Sequence, residues 1–529
     1  MLTRCLVLAV LTGTAAGQCP VQKVTSPAPF EQAFLGSDLA FDGEWLFAAS
    51  TVADGASPGS GVVEVYRRAP EVWTRVDVLS ASDGQTGDLF GATLSLDGDR
   101  LAVHAVGAQA VYVFELFQGQ WVEVSKAIAF DPTDDYGSAM ALSGDWLAVG
   151  MEEDGALGAS AGAIRTFQRL GNFWEPRQKL VASDGKAGDR FGTSLALEGG
   201  RLVVGASSAE GAVAGSGAAY VFELGDQWTE TAKLIGSDVG AGDRFGFFGC
   251  TALSGDVALI GAPYSSEACG SGATCESGSA YLFRKQGATW VQEQKFAPTD
   301  LGDDARFGTA PYLDQGRAFI GASAGGELLA GTVLGYVEES GGWVQAWEFT
   351  PPDPGFADGF ALPRVAGDDV AIGSFRDDEL QVNSGAVYLF SLDPQNCPGL
   401  FAAPNALSLS KGGSQFFLLD AGPERAGGAF VLLGSLSGTA PGTPVGGLVL
   451  PLAVDAYLDL TLTGGSPVLG SPGVLDASGR AEAELRIPPN TPVPLLGLSA
   501  HHAYLAIDTS SGALDLSFVS NAVPLTLAP

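Results

Sequence analysis

The stretch SDGKAGDRFGTSL, residues 183–195, decides the fold expected for this 529-residue chain. Its first ten residues recur at 82–91 and 237–246, which keep the serine, both aspartates, the glycine before the second aspartate and the terminal Phe-Gly. These Phe-Gly pairs are Phe90-Gly91, Phe191-Gly192 and Phe245-Gly246, and looser copies end in Leu35-Gly36, Tyr136-Gly137 and Phe307-Gly308. Self-similarity at a fixed spacing indicates a repeat architecture in which each copy forms one structural unit.

Each copy keeps the same internal spacing after its aromatic residue. An alternating strand, a tight turn and a second strand follow, and the step from Phe191 to Gly205 is 14 positions. Two copies depart from it: the fifth runs two residues longer, from Phe245 to Gly261, and the seventh has Gly359-Phe360 where Phe-Gly is expected. A third strand ends on an aromatic in all seven copies, and a fourth opens with tryptophan in six of them. The mean period is 54 residues.

Four short strands per repeat predict an all-β fold, a seven-bladed β-propeller, because radial repetition protects the strand edges that a flat sheet would expose. The 74 glycines and 29 prolines suit short strands joined by turns. The seventh copy lacks its tryptophan strand, but Gln22-Lys23-Val24 lies 14 residues before Gly36, as residues 232–234 lie before Gly246. We therefore expect residues 18–398 to form the propeller, with the N-terminal strand as the outer strand of the last blade.

The first 17 residues have the features of a secretory signal peptide. Arg4 precedes an apolar run from Cys5 to Val10, and the small residues Ala15-Ala16-Gly17 follow. No later stretch reaches 18 uninterrupted apolar residues, so the sequence predicts an exported, secreted or surface-associated protein without membrane insertion. A net charge of −33 repels nucleic acid, which we exclude as a partner.

Cysteine positions support closure of the ring by the N-terminal strand. The positions equivalent to Trp228 at the two ends of the propeller are Gln18 and Asn396, and a cysteine follows each. We predict a Cys19–Cys397 disulfide at this seam, since such a bond persists in an exported protein. Cys269 and Cys275 share one long loop of the fifth blade and are predicted to pair, which leaves Cys250 as a buried free thiol.

The aromatic-Gly, hairpin and Gly-Ala pattern resembles the FG-GAP repeat, the blade unit of the integrin α-subunit head, and in particular the secreted bacterial form with S-D-G-x-x-G-D-x-F-G. The resemblance covers residues 18–398 and implies a propeller used for extracellular binding or adhesion, without catalysis. In several integrin blades the first hairpin carries a D-x-D-x-D-G calcium loop. Here the equivalent turns are tight pairs such as Asp97-Gly98, which cannot wrap an ion, so those metal sites are not carried over.

The motif aspartates have two interpretations. As architecture, Asp184 and Asp189 accept backbone N–H bonds where the chain crosses between blades. As calcium ligands, each loop supplies only two carboxylates, whereas the ion needs six to eight oxygens. Calcium is therefore the weaker interpretation, and no other cofactor is expected. The calcium candidates are Asp83, Asp88, Asp184, Asp189, Asp238 and Asp243.

Residues 399–529 lack tryptophan and are rich in Leu, Ala, Val and Gly, which predicts a β-sandwich domain. The expected strands lie near residues 429–433, 447–452, 456–462, 481–487, 503–507 and 514–519. This domain weakly resembles the terminal domains of other exported repeat proteins, which implies a role in sorting or surface retention.

Catalytic motifs are missing from the sequence, which has no H-E-x-x-H, G-x-S-x-G, Walker or C-x-x-C pattern. His104 is expected to be a satisfied strand residue, and the adjacent His501 and His502 should face opposite ways. The leading hypothesis is a monomeric, non-enzymatic module that binds an extracellular protein or glycan. The alternatives are a structural component of an exported surface layer or matrix, and a carbohydrate-active enzyme.

Any partner is expected on the face that carries the long loops, which join one blade to the next and the second strand of a blade to the third. We call this the long-loop face. Its acidic residues are Asp54, Asp83, Asp88, Glu152, Glu153, Asp154, Asp184, Asp189, Glu210, Asp238, Asp243, Glu267, Glu276, Asp377, Asp378 and Glu379.

Overall fold

The computed structural model describes residues 20–528. Within that range it leaves out residues 27–31, 70–71, 129–135, 138, 172, 267–274, 379–380, 394–399, 404–405, 409–412, 423–424, 438, 440–441, 446–447, 463–467, 478, 490–497, 509–514 and 521–522. The predicted signal peptide, the Cys19–Cys397 pair, Cys269, Glu267 and Glu379 therefore lie outside the described residues.

Seven antiparallel four-stranded sheets form the blades, as the repeat predicts. Blades one to three comprise β2–β5 (Leu39–Phe41, Trp45–Ser50, Val62–Arg68, Trp73–Leu79), β6–β9 (Phe90–Asp97, Arg100–Ala105, Ala110–Phe117, Gln120–Ile128) and β10–β13 (Met140–Ser143, Trp146–Met151, Ala163–Leu170, Phe173–Leu180). Blades four to six comprise β14–β17 (Phe191–Glu198, Arg201–Ala206, Ala218–Leu224, Trp228–Leu234), β18–β21 (Thr251–Ser254, Val257–Ala262, Ser279–Gln286, Thr289–Phe296) and β22–β25 (Phe307–Asp314, Arg317–Ala322, Thr332–Glu339, Gly342–Phe349). A short 3-10 helix, Glu327–Leu329, precedes β24.

The seventh blade is completed by the N-terminal strand, as expected. Its own strands are β26–β28 (Phe360–Ala366, Asp369–Ser374, Ala386–Ser391), and β1 (Pro20–Val24) pairs antiparallel with β28. Lys23 lies opposite Tyr388 just as Lys233 lies opposite Tyr220 in the fourth blade. The inner strands of successive blades contact one another around the ring, including β26 with β2, so the first and last blades meet.

The motif aromatic is buried between neighbouring blades in every copy where it is Phe. Phe191 has no exposed surface and meets Tyr220 and Phe222 edge-on, with ring centroids 5.5 and 5.9 Å apart. Gly162 of the preceding blade lies against it, and a Cβ on that glycine would come within 2.1 Å of the Phe191 carbonyl oxygen. Contact this close requires glycine, which fixes the distance between blades.

The seventh copy differs from the sequence reading of a reversed Phe-Gly. Phe360 pairs with Ser374 and occupies the place of Phe191, which pairs with Ala206. The residue after Phe360 is Ala361. A Cβ added to Gly321 would lie 2.1 Å from the Ala361 carbonyl oxygen, the same distance as between a Cβ added to Gly205 and the Gly246 carbonyl oxygen. The bulge after the aromatic is one residue shorter in this blade, so Ala361 avoids the positive φ of Gly192 and no glycine is needed.

The described residues of the C-terminal domain form two larger sheets that share one core and a two-stranded sheet, β33-β34 (Thr443–Val445 and Leu448–Leu450). Its strands are β29–β40, at Leu400–Ala403, Ala406–Ser408, Gly413–Asp420, Ala429–Ser435, Thr443–Val445, Leu448–Leu450, Val468–Leu469, Gly473–Val474, Arg480–Ile487, Ser499–Asp508, Asp515–Val519 and Val523–Ala528. One sheet has the order β29-β31-β37-β35, and the other is built around β30-β40-β38-β32-β36 with β39 paired to β38. Phe417 and Leu485 of the first sheet pack with Leu432 and Tyr504 of the second.

One expected strand of this domain is a helix. Residues 456–462 form α1 (Ala456–Leu462) because Asp455 caps it, accepting hydrogen bonds from the backbone N–H groups of Tyr457 and Leu458 at 3.0 and 2.9 Å. Its second oxygen accepts from Leu436 N at 2.7 Å. Desolvation raises the pKa of Asp455, but these hydrogen bonds outweigh it and lower the pKa to about 2. The strand predicted for this segment from its apolar residues was therefore wrong.

Candidate functional site

The serine and first aspartate of the motif fasten the long loop to the blade it enters. Ser183 donates through its backbone N and its Oγ to the Glu230 carboxylate, at 2.8 and 2.7 Å. Asp184 accepts from the hydroxyl of Tyr220 at 2.8 Å and from Nζ of Lys233 at 2.7 Å. The loop is thus held by the third and fourth strands of its own blade.

This Asp–Tyr–Lys triad occurs in four blades. The other three are Asp83 with Tyr112 and Lys126, Asp238 with Tyr281 and Lys295, and Asp353 with Tyr388 and Lys23. Hydrogen bonds from Lys126 and Tyr112 lower the pKa of Asp83. Desolvation raises the pKa of Asp184, but hydrogen bonds from Lys233 and Tyr220 carry it below its ordinary value. Asp83 and Asp184 are therefore ionised partners of a lysine on the same blade.

The second aspartate caps its own loop. Asp189 accepts from the backbone N of Lys186 at 2.8 Å, and Asp243 accepts from Gly240 N at 2.7 Å. Asp88 accepts from Gln85 N at 2.6 Å in the same way. Burial raises the pKa of Asp189 and of Asp243. The backbone role predicted for Asp189 is present, whereas Asp184 takes its principal hydrogen bonds from side chains.

The triad of the seventh blade is buried and carries an extra carboxylate. Lys23 Nζ lies 2.8 Å from both Asp353 and Asp377, and the side chains of all three are at most 5% exposed. Asp358, the second aspartate of this loop, accepts from Gly355 N at 2.6 Å through one oxygen, while its other oxygen has no hydrogen-bond partner among the described residues. Burial, reinforced by the Asp377 carboxylate, raises the pKa of Asp358 to about 7.

The opposite face ties blades together through the tight turns. Asp97 accepts from Gly144 N of the next blade, and Glu198 accepts from Gly255 N, each at 2.5 Å. At the centre of the ring Asp38 pairs with Arg364 at 2.9 Å across the boundary between the first and last blades.

The fifth blade departs from the other six at the edge of the central cavity, a feature that the sequence showed only as two extra residues. Phe247 N donates to Arg244 O at 3.1 Å and Cys250 N donates to Phe247 O at 2.9 Å, so the insertion forms a turn. Phe248 is 36% exposed and lines, with the inner strands, a cavity of about 780 Å³. The guanidinium of Arg244 lies 5.1 Å from the ring centroid of Phe247 and 4.6 Å from that of Tyr264.

The three histidines and the two described cysteines are buried or half-buried. His104 and His502 have no exposed surface, while His501 is half-buried, so the adjacent pair does face opposite ways. The Tyr457 hydroxyl lies 2.9 Å from His502 Nε2, and burial lowers the pKa of His502 to about 3. Cys250 is a free, buried thiol whose pKa burial raises to about 12. Cys275 is disulfide-bonded.

The calcium candidates are distributed around the ring rather than gathered. Across the part of the chain that the structure describes, no group of three or more His, Cys, Asp or Glu side chains is placed to hold a metal ion. Calcium binding by the six motif aspartates stays the weaker interpretation, and a calcium titration tests it. In the same described ranges no helix is long and apolar enough to cross a membrane.

One family model matches part of the repeat region. The family model described as FG-GAP repeat matches residues 73–114, 174–222 and 228–283. Among solved structures, the chain is similar to the WD40 domain of Toxoplasma gondii coronin, with 10% identity and a TM-score of 0.41 over 72% of this chain and 89% of that one. No curated protein matches the chain. Each matched segment runs from the tryptophan strand of one blade to the third strand of the next, so these three segments are FG-GAP repeats within a seven-bladed β-propeller.

Proposed function

We propose that this protein is an exported, non-enzymatic binding module whose long-loop face meets an extracellular protein or glycan. One observation carries the proposal: the motif aspartates of that face, such as Asp184 and Asp189, hold its loops through hydrogen bonds. Ser183, Asp184 and Asp189 all use their hydrogen-bonding groups within the blade or the loop. A surface whose loops are braced in this way is pre-organised, which lowers the entropy cost of binding.

Electrostatics favour the same role over catalysis. A general acid or base needs a titrating group aimed at a substrate. Asp184 is instead held as the anion beside Lys233. Desolvation raises its pKa, but the hydrogen bonds from Lys233 and Tyr220 lower it further than that, so the pKa lies below the ordinary value. The buried carboxylates Asp189 and Asp243 point at backbone N–H groups of their own loops. Their use is structural.

The test is a binding screen of the full-length chain against arrays of extracellular proteins and glycans. Glu210→Lys changes an exposed residue of the long-loop face, and Asp226→Lys makes the same change in an exposed hairpin turn on the opposite face. We expect a partner whose binding is weakened by the first variant and unaffected by the second. Turnover of a polysaccharide, abolished by one Asp or Glu substitution, would replace this proposal with an enzymatic one.

A further inference from the structure

The insertion in the fifth blade places a group of cationic and aromatic side chains on the long-loop face. We call Arg244, Phe247, Phe248, Tyr264 and Arg306 the fifth-blade cluster. The rings of Phe247 and Tyr264 meet edge-on at 5.3 Å, and those of Phe247 and Phe248 at 5.0 Å. Two guanidinium groups converge on Tyr264, with Arg244 at 4.6 Å and Arg306 at 5.6 Å from the ring centroid.

Arg244 differs from the arginines at the same position in other blades. Arg190, Arg244 and Arg306 each precede the motif aromatic and each have φ near 56°. Arg190 pairs with Glu153 at 3.4 Å and Arg306 with Glu276 at 2.7 Å. Within the described ranges, the Arg244 side chain contacts only the two aromatic rings, so its N–H donors face solvent without a carboxylate.

We propose that the fifth-blade cluster binds a single carboxylate flanked by an apolar side chain, presented by an extended segment of a partner protein. This inference rests on the proposed function and names the chemistry of its partner. An arginine held by stacking is pre-organised to bind a carboxylate through two parallel hydrogen bonds. The exposed Phe248 ring then covers the apolar neighbour, as aromatic anchors do at protein interfaces.

Charge and ring type select a peptide over an acidic polysaccharide. The net charge of −33 repels a ligand that carries many anionic groups, whereas a single carboxylate can be met by the Arg244 guanidinium. Two of the three rings are phenyl groups, which contact apolar side chains and offer no hydrogen bonds to sugar hydroxyls. The cluster therefore fits an Asp or Glu next to a Leu, Ile or Phe.

The experiment is selection of random dodecapeptides displayed on phage against the full-length protein, followed by affinity measurements on synthetic copies of the enriched peptides. We expect enrichment of one acidic residue beside an apolar residue. Arg244→Gln should weaken the selected peptides about tenfold or more, as expected for loss of one charge-assisted contact. Arg190→Gln is the matched control, because the same residue at the same φ is already paired, and it should leave affinity within about twofold.

Each outcome decides one question. Enriched peptides without a carboxylate, or equal affinity for the wild type and Arg244→Gln, would overturn the inference. If a long-loop-face partner is found in the wider screen but is insensitive to Arg244→Gln, the inference fails and the proposed function stands. If the wild type binds neither the peptides nor any protein or glycan, both fail. Phe248→Ser provides a second variant, since it alters the ligand surface while leaving the stacked guanidinium in place.

Discussion

Replacement of Lys23 by methionine tests whether the N-terminal strand closes the propeller electrostatically as well as by pairing. Its Nζ lies 2.8 Å from both Asp353 and Asp377, and the three side chains are 1%, 5% and 3% exposed. Lys23→Met keeps the length of the side chain but leaves two carboxylates buried without a cation. Breaking a buried pair in this way costs about 3–5 kcal/mol of unfolding free energy.

Lys233→Met is the matched control because it removes the lysine from the same triad in the fourth blade. There Lys233 is 22% and Asp184 is 51% exposed, so water screens the pair. The expected loss is about 0.2–1 kcal/mol. The two variants therefore differ in how deeply the interaction is buried and in the second carboxylate, Asp377, that Lys23 pairs with.

Urea unfolding followed by tryptophan fluorescence measures the propeller selectively, since all nine tryptophans lie between residues 45 and 347. Burial already raises the pKa of Asp353 while Lys23 opposes it, and removing Lys23 raises that pKa further. A carboxyl group whose pKa is higher in the folded than in the unfolded protein destabilises the fold at pH values above the folded pKa, and this destabilisation decreases as pH falls. The deficit of Lys23→Met should therefore shrink on acidification. Equal losses in the two variants at neutral pH would refute the reasoning.

Three further outcomes follow from the structure. Asp358→Asn should raise stability above pH 8 by about 1–3 kcal/mol, because it removes a buried negative charge that has one oxygen without a hydrogen-bond partner among the described residues. The gain should fade as pH drops from 7 toward 4, and Asp88→Asn, at the half-exposed equivalent, should show little gain. Gly162→Ala should lower the free energy of unfolding by about 2–5 kcal/mol, measured with denaturant, since φ is +86° and a Cβ would lie 2.1 Å from a carbonyl oxygen of the next blade. Gly119→Ala is the control: φ is +81° there but nothing lies within 4 Å of the added Cβ, so the loss should be about 1 kcal/mol. The Cys250 thiol should resist a thiol reagent at pH 8 in the folded protein, because burial raises its pKa to about 12. The mature chain should release one thiol on unfolding, and three thiols would mean that one of the two predicted disulfides, Cys19–Cys397 or Cys269–Cys275, does not form.

Closure of the ring was predictable because it depends on register, and register can be counted along a sequence. Placing Gln22 and Lys23 in the outer strand required only the distance to Gly36. The structure extends the equivalence to hydrogen bonds: the Gln22 amide oxygen accepts from Trp73 N at 2.7 Å, as that of Gln178 accepts from Trp228 N at 2.7 Å. The N-terminal strand therefore joins its neighbouring blade just as an ordinary outer strand does.

The partners of the motif aspartates were not predictable in the same way. Asp184 binds Tyr220 and Lys233, which are 36 and 49 residues away and belong to strands whose facing directions depend on bulges. Local sequence suggests a backbone turn for both aspartates, and only Asp189 makes one as its main contact. In the C-terminal domain the strand predicted at residues 456–462 was wrong, because Asp455 caps a helix in a segment whose apolar residues favour a strand.

The contacts of the recurring acidic residues show that the acidic composition of the chain does not by itself indicate where a partner binds. Residues that recur from blade to blade, such as Asp184 and Asp189, hold loops and neighbouring sheets, so their abundance reflects how many blades must be fastened. A binding surface specific to this chain is then expected where the repeat is interrupted, since a residue shared by several blades is already used by the scaffold. On the long-loop face the fifth blade has such an interruption: two inserted residues, an exposed Phe248 and an arginine whose counterparts have acidic partners while it has none among the described residues. The departure from the internal spacing, rather than the motif itself, is therefore the place to test for a partner.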